Sequence, residues 1–323
     1  MSGVPKKEVS HMKEDPFISI IIPVLNEEEA IPHFVEVVEG ILEKSSCRFE
    51  LLFVNDGSTD STSDVLHQME MSDHQIRIIE FTRNFGKEAA VTAGLEHAEG
   101  DAVIPMDVDL QDPPELILQF IEKWKEGNDV VYGKRVRRHA EGWLRRVTAG
   151  LFYGSFNLLS PFNFPSNVGD YRLMDRSVVE VIKLLPEKSR FMKGLFAWAG
   201  FHAVEIPYHR PSRSKGKSKW NYWKLWNFAL DGILNFSTIP LRIWTYVGGI
   251  IALGSFCYGL VIIGQKLFFG NAVPGYPSLM TCLLFLGGIQ LLSLGIIGEY
   301  IARIFNEVKN RPLYVIKKKR EDN

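Results

Sequence analysis

The N-terminal part of the chain alternates short, mainly apolar runs with longer amphipathic stretches. Ile18–Pro23 (ISIIIP) is a short β-branched run, suited to a strand buried on both faces. Phe49–Asn55, Ile76–Phe81, Ala102–Met106 and Asp129–Gly133 are further strand-like runs. Helices are predicted between them. The first runs from an Asn26 N-cap, with Glu27–Glu29 in its opening turn, to about Lys44. Others run from beyond Asp60 to about Met71, over Glu88–Ala98 and over Pro114–Glu126. This alternation predicts an α/β fold with a mostly parallel sheet and right-handed crossovers. Ligands of such sheets bind beyond the carboxyl ends of the strands. Those ends carry Pro23 and Asn26, Asp56, Arg83-Asn84, and Asp107 with Asp109.

The second half has a different texture. Val147–Gly169 carries no charge but is broken by Pro161 and Pro165, so residues 143–165 are expected to form an interfacial helix inserted in the domain. Trp220–Thr238 combines three Trp with basic neighbours, the composition of a helix lying in the membrane–water interface. Ile243–Gln265 has no charge, and none follows Lys266 until Glu299. Two spans are predicted, about 243–266 and 278–300, each near the roughly 20 residues a bilayer requires. A buried helical hairpin is the soluble alternative. Lys215, Lys217, Lys219, Lys224 and Arg242 precede the pair, and Arg303, Lys309, Arg311 and Lys317–Arg320 follow it. The loop between is uncharged, so the positive-inside rule puts both flanks in the cytoplasm. The expected organisation is a polar leader (1–16) unlike a signal peptide, a cytoplasmic catalytic domain (17–218), an interfacial helix (219–240), the spans (241–304) and a basic cytoplasmic tail (305–323).

Composition narrows the function classes. With 37 Lys and Arg against 38 Asp and Glu, the net charge of −1 gives no basis for nucleic-acid binding. Cys47, Cys257 and Cys282 are scattered and form no CxxC pair, which excludes a disulfide scaffold and argues against a zinc site. Neither GxGxxG nor GxxxxGK[ST] occurs, so a dinucleotide fold or a P-loop is not indicated. The most chemically loaded segment is Met106-Asp107-Val108-Asp109-Leu110-Gln111-Asp112-Pro113-Pro114. A period of two would set Asp107 and Asp109 on one side of an extended segment, with Gln111 continuing that side. Hard oxygen ligands of this kind suit Mg²⁺ or Mn²⁺, ions that hold substrate phosphates. The plainer alternative is an acidic turn.

Several motifs now stand in order: Ile21-Ile22-Pro23-Val24-Leu25-Asn26-Glu27, Asn55-Asp56-Gly57-Ser58-Thr59-Asp60, Arg83-Asn84-Phe85-Gly86, Asp107–Pro114 and Gly169–Met174. Together they resemble the polyprenyl-phosphate glycosyltransferases of family 2, with a GT-A fold, a group that includes dolichol-phosphate mannose synthase. Phe191–Phe196, Lys219–Trp226 and the segment Val273–Pro312 extend the likeness to bactoprenol (undecaprenyl-phosphate) glucosyltransferases. The resemblance covers about Phe17 to Ile316. It implies transfer of a sugar, glucose from UDP-glucose, to a membrane polyprenyl phosphate with inversion at the anomeric carbon.

Residue by residue, the resemblance assigns Asp109 and Gln111, with Asp107, to the metal. It assigns Pro23, Asn26, Glu28, Asp56, Arg83, Lys87, Asp107 and Asp109 to the nucleotide sugar, and Asp170 to catalysis facing the donor sugar. Arg135, Arg145, Arg213 and Lys217 match positions for the acceptor phosphate, the last two in a mobile flap. Asn55 stands where many relatives have a second Asp. A homo-oligomer, a tetramer by the resemblance, is expected, since the glycines of the predicted spans permit close helix approach in lipid. The alternatives are the same reaction with mannose from GDP-mannose or an amino sugar from a UDP donor, a processive synthase, and a non-catalytic membrane protein that binds nucleotide sugar. The Gln-x-x-Arg-Trp motif of processive synthases is absent.

Overall fold

The computed structural model describes residues 15–136, 168–188, 190, 192–208, 239–269 and 275–318. These fall into two compact units, one built on the sheet and joined by the chain from Arg311 onward, the other containing the long C-terminal helices.

The sheet has seven strands: β1 (Phe17–Val24), β2 (Arg48–Asn55), β3 (Ile76–Glu80), β4 (Ala102–Pro105), β5 (Val130–Arg135), β6 (Val168–Asp175) and β7 (Ala203–Tyr208), in the order β3-β2-β1-β4-β6-β5-β7. The four apolar runs of the N-terminal half pair in parallel, β3 on β2, β2 on β1 and β1 on β4. Their registers align Val24 with Asn55 and Asn55 with Glu80, so the loops that follow emerge at one edge. Helices α1 (Ile31–Leu42), α2 (Thr62–Ser72), α3 (Lys87–His97) and α4 (Leu116–Lys125) follow these strands in turn. Ile18, Ile20, Ile22, Phe34, Phe53, Leu51 and Phe120 are all fully buried in one cluster. Each such side chain contributes about 1.5–3 kcal/mol on leaving water.

β6 breaks the parallel pattern. It runs antiparallel to β4, Ala102 opposite Asp175 and Val103 opposite Met174, and antiparallel to β5. Its first residues therefore reach the edge at which β4 ends, which carries Asp170 to the loops of the parallel half. β5 extends two residues beyond its predicted end at Gly133, because Lys134 and Arg135 pair with Pro207 and Tyr208 of β7. Helices α5 (Arg176–Lys183) and α6 (Met192–Trp198) complete this half. Asp175 caps α5 by accepting from the Ser177 N–H.

Two local expectations are corrected. Asn26 is not a helix cap: α1 begins only at Ile31, and Asn26 has a φ of 55°. β4 ends at Pro105, and Val108-Asp109 form a turn with Leu110 at a φ of 51°, so Asp107 and Asp109 do not share the side of a strand.

In the second unit, α7 (Ile239–Phe269) and α8 (Tyr276–Val308) have 31 and 33 residues. At about 1.5 Å per residue both exceed the roughly 30 Å hydrocarbon thickness. Among the described residues one stretch, Phe285–Val308, is long and apolar enough to cross a membrane, and none of it is buried. The apolar stretch of α7, Tyr246–Ile262, is shorter. The first predicted span, about 243–266, is thus a helix whose apolar stretch falls short of that length. The interfacial segments expected at 143–165 and across most of 219–240 lie outside the described residues.

Candidate active site

The loops at the carboxyl edge are laced together by side chains. Asn26 Oδ1 accepts from the Thr59 N–H at 2.8 Å, and its own N–H donates to Ser58 Oγ at 3.0 Å. Glu28 accepts from the Ser61 N–H at 2.7 Å. Asp56 is buried, and its two oxygens accept from the N–H groups of Phe85 at 2.6 Å and Gly86 at 2.9 Å. Carboxylate–amide bonds of this kind are among the stronger ones in proteins. Gly57 has a φ of 72°, and a Cβ there would strike Arg83 and lie 2.7 Å from Asn84 N. Three of the residues that the resemblance assigns to the nucleotide sugar, Asn26, Glu28 and Asp56, thus hold these loops together as one wall. Arg83 lies over the Phe85 ring at 4.0 Å and donates to Asn84 O.

Beside this wall is a cavity of about 50 Å³ lined by Pro23, Lys87, Asp107, Asp112, Arg135 and Asp170 among others. That exceeds the roughly 10–15 Å³ one water requires. Lys87 is the first residue of α3 and sits between two carboxylates, Nζ 2.5 Å from Asp107 Oδ1 and 3.6 Å from Asp170 Oδ2. Burial opposes its charge, but Asp107 and then Asp170 outweigh burial and raise the ammonium above an ordinary lysine. Asp170 Oδ1 is buried with no hydrogen-bond partner among the described residues. A buried carboxylate oxygen without a protein partner is costly, and such oxygens are commonly met by water, an ion or a ligand.

Behind Asp170, the wholly buried Arg172 stacks on Phe196 at 4.0 Å and donates to Gly169 O at 2.9 Å. Desolvation lowers its pKa to about 10 although Asp170 opposes the shift. On the cavity's other side Arg135 Nε donates to Tyr208 Oη at 2.9 Å and its Nη2 reaches Asp112 at 3.4 Å. Tyr208 donates in turn to Asp112, and burial followed by that bond pushes the phenol up to about 12.

Asp109 is exposed, with Oδ1 accepting from the Gln111 N–H at 3.1 Å. Glu27 is raised above an ordinary glutamate by burial and then by Asp109, Asp60 and Asp107, so negative charge is concentrated here. No group of three or more His, Cys, Asp or Glu side chains forms a metal cluster among the described residues. By the chemistry of their donor atoms, two carboxylates and an amide oxygen suit a hard divalent ion.

The structure brings together Pro23, Lys87, Asp107, Arg135 and Asp170. Arg145, Arg213 and Lys217 lie outside the described residues. Sequence reasoning missed Asp112 and Tyr208. Asp112 stood in the Asp107–Pro114 segment with no role given, and nothing local marks Tyr208, 73 residues from Arg135.

Comparisons with known proteins agree with this architecture. Residues 19–183 match the model of glycosyl transferase family 2, and residues 239–304 match that of the GtrB C-terminal hairpin. The SfII prophage-derived bactoprenol glucosyl transferase of Shigella flexneri is 53% identical over 306 residues, covering 95% of this chain and 99% of that protein. An uncharacterized glycosyltransferase of Synechocystis is 50% identical over 93% of this chain and 94% of its own length. The glycosyltransferase YkcC of Bacillus subtilis is 42% identical over 93% of each chain. With a matched catalytic domain, a matched hairpin and relatives alike over nearly their whole length, the chain belongs to glycosyl transferase family 2.

Proposed function

We propose that the protein transfers glucose from UDP-glucose to undecaprenyl phosphate, or a similar polyprenyl phosphate, at the cytoplasmic face of the inner membrane, with inversion. The observation that carries this reading is the cavity in which Lys87 lies between Asp107 and Asp170 while one Asp170 oxygen is left unpartnered. The bactoprenol glucosyl transferase of Shigella flexneri supports the acceptor and the sugar.

The acceptor phosphate is already anionic near neutral pH, with a second pKa of about 6. It needs positioning and charge compensation more than a strong base. Arg135, fixed by Tyr208 and Asp112, offers a preset guanidinium fork for one phosphate. Arg145, Arg213 and Lys217 are proposed to add to it. A phosphate oxygen attacks the anomeric carbon, that carbon's bond to the diphosphate breaks, and UDP leaves with the electron pair. Asp170 faces the sugar and stabilises positive charge developing on it. Lys87 offsets the negative charge of two anionic substrates brought together.

Asp107, Asp109 and Gln111 would hold Mg²⁺ or Mn²⁺, which supplies Lewis acidity to the leaving diphosphate. Asn26, Glu28, Asp56 and Arg83 shape the nucleoside wall. α7 and α8 are proposed as two spans with both termini cytoplasmic, and assembly as a homo-oligomer is consistent with Gly248, Gly254 and Gly287, where a Cβ would meet nothing within 4 Å.

The test offers purified protein a panel of nucleotide sugars with undecaprenyl phosphate and follows lipid products by mass spectrometry. UDP-glucose should give hexosyl-phosphoryl-undecaprenol. Turnover of GDP-mannose or a UDP-amino sugar alone would overturn the sugar, and nucleotide-sugar binding without any lipid product would overturn the reaction.

A further inference from the structure

The chain beyond α8 lies outside both matched family segments, and its sequence reads as a solvated basic tail. It is instead docked on the sheet unit. Ile316 forms an antiparallel bridge with Phe81, the residue after β3, which is the edge strand. Thr82 N–H donates to Val315 O at 3.0 Å, and Lys317 N–H donates to Glu80 O at 2.7 Å. Main-chain pairing to an exposed sheet edge is a common way to dock a segment.

The side chains carry the contact further. Tyr314 stacks flat on Phe81, with centroids 4.9 Å apart and planes 14° apart, and its hydroxyl donates to Glu96 of α3. Phe81 meets Phe85 edge-to-face at 5.7 Å. Phe85 carries Arg83 over its ring and gives its N–H to Asp56. Gly86 is the residue before Lys87 and gives its N–H to the same carboxylate. Lys317 lies 3.7 Å from Glu80, which also accepts from Asn55 Nδ2. Tyr314 therefore touches both supports of Lys87, the 83–86 loop through Phe81 and α3 through Glu96.

We infer that Tyr314 is a positioning residue for the donor site: the docked tail steadies the Arg83–Gly86 loop that opens α3, together with the far end of that helix at Glu96, and so sets Lys87 against Asp107 and Asp170. This rests on the reading that this edge binds a nucleotide sugar. An aromatic stack is rigid and directional, so it suits fixing a loop better than a charged tail alone.

The experiment uses the full-length protein and measures UDP binding by calorimetry, with GDP in parallel, together with separate KM values for donor and acceptor. Tyr314→Ala should weaken UDP binding about five-fold and raise the donor KM in step, with the acceptor KM unchanged. Tyr314→Phe keeps the stack and should stay within about two-fold of wild type. Tyr314→Leu keeps an apolar side chain but loses the flat stack on Phe81 and should weaken UDP binding about three-fold. It carries the test should Tyr314→Ala not fold. A lowered melting temperature with unchanged UDP affinity and donor KM would make the tail a structural clamp only and overturn the inference. Wild-type protein that binds neither UDP nor GDP would overturn the functional reading as well.

Discussion

Two sets of acidic residues stand at the same edge of the sheet, and they are held very differently. In the loop wall, both oxygens of Asp56 and one of Glu28 are occupied by backbone N–H groups at 2.6–2.9 Å. In the cavity, among the described residues, Asp107 and Asp170 are met by Lys87 and an Asp170 oxygen has no hydrogen-bond partner. The first set has its charge spent on shape. The second is balanced by the Lys87 ammonium and, among the described residues, keeps one oxygen able to accept. The difference separates residues whose loss distorts a site from residues whose loss removes its chemistry, although a single sequence presents both as Asp and Glu beyond a strand.

The largest effect that sharpens this contrast belongs to Asp109→Ala. Under the proposed function it should abolish turnover with the fold intact, as should excess chelator in the wild type, with Mg²⁺ or Mn²⁺ restoring only the latter. Full activity in chelator, by initial-rate assay, would remove the metal from the account.

Asp56→Asn comes next. The amide keeps one acceptor, loses the charge and cannot accept from both Phe85 and Gly86 as strongly. A loss of about 1–3 kcal/mol of stability is expected from a buried group left short of its partners, read by denaturant unfolding. Donor KM should rise more than kcat falls. A variant as stable as wild type but inactive would put Asp56 with the cavity set and break the comparison.

Tyr208→Phe removes the hydroxyl between Arg135 and Asp112. It should raise the acceptor KM about three- to ten-fold while leaving UDP affinity alone. An effect on UDP affinity instead would move Arg135 to the donor side.

The smallest effect lies away from the edge and serves as a control. Glu39 is pushed up to about 7, by burial first and by Asp73 next. Its neutral form is favoured in the folded chain. That stabilisation is therefore complete at acid pH and is lost as pH rises from the ordinary carboxylate range through about 7. Glu39→Gln should flatten the fall in melting temperature over that window with no change in activity; an unaltered slope would remove Glu39 as the cause.

The parallel half of the sheet was legible because each strand is a short, mainly apolar run set off by polar segments, and β1, β2 and β3 lie within a residue or two of where those runs predict them. The loop wall was legible as polar residues at the strand ends but not as a set of bonds, since Asp56 bonds to Phe85 across 29 residues. The same limit hid the Tyr208–Asp112–Arg135 cluster, whose members lie on β7, the loop after β4 and β5. Asp107 and Asp109 were located correctly and their geometry was not, because Pro105 ends the strand earlier than hydropathy implies. The docking of the tail was not legible, because Lys317–Arg320 mark it only as basic, while the contact is made by the Tyr314–Lys317 backbone and one aromatic ring.

The contrast turns on Asp170. Steady-state kinetics and UDP-glucose affinity of Asp170→Asn, an isosteric change that keeps size and one acceptor oxygen, test it most directly. A carboxylate acting on the chemical step should cost kcat about 10²-fold or more while donor affinity and fold are kept. An unchanged kcat with a raised donor KM would make Asp170 a binding residue, and the division between wall and cavity would fail at its centre.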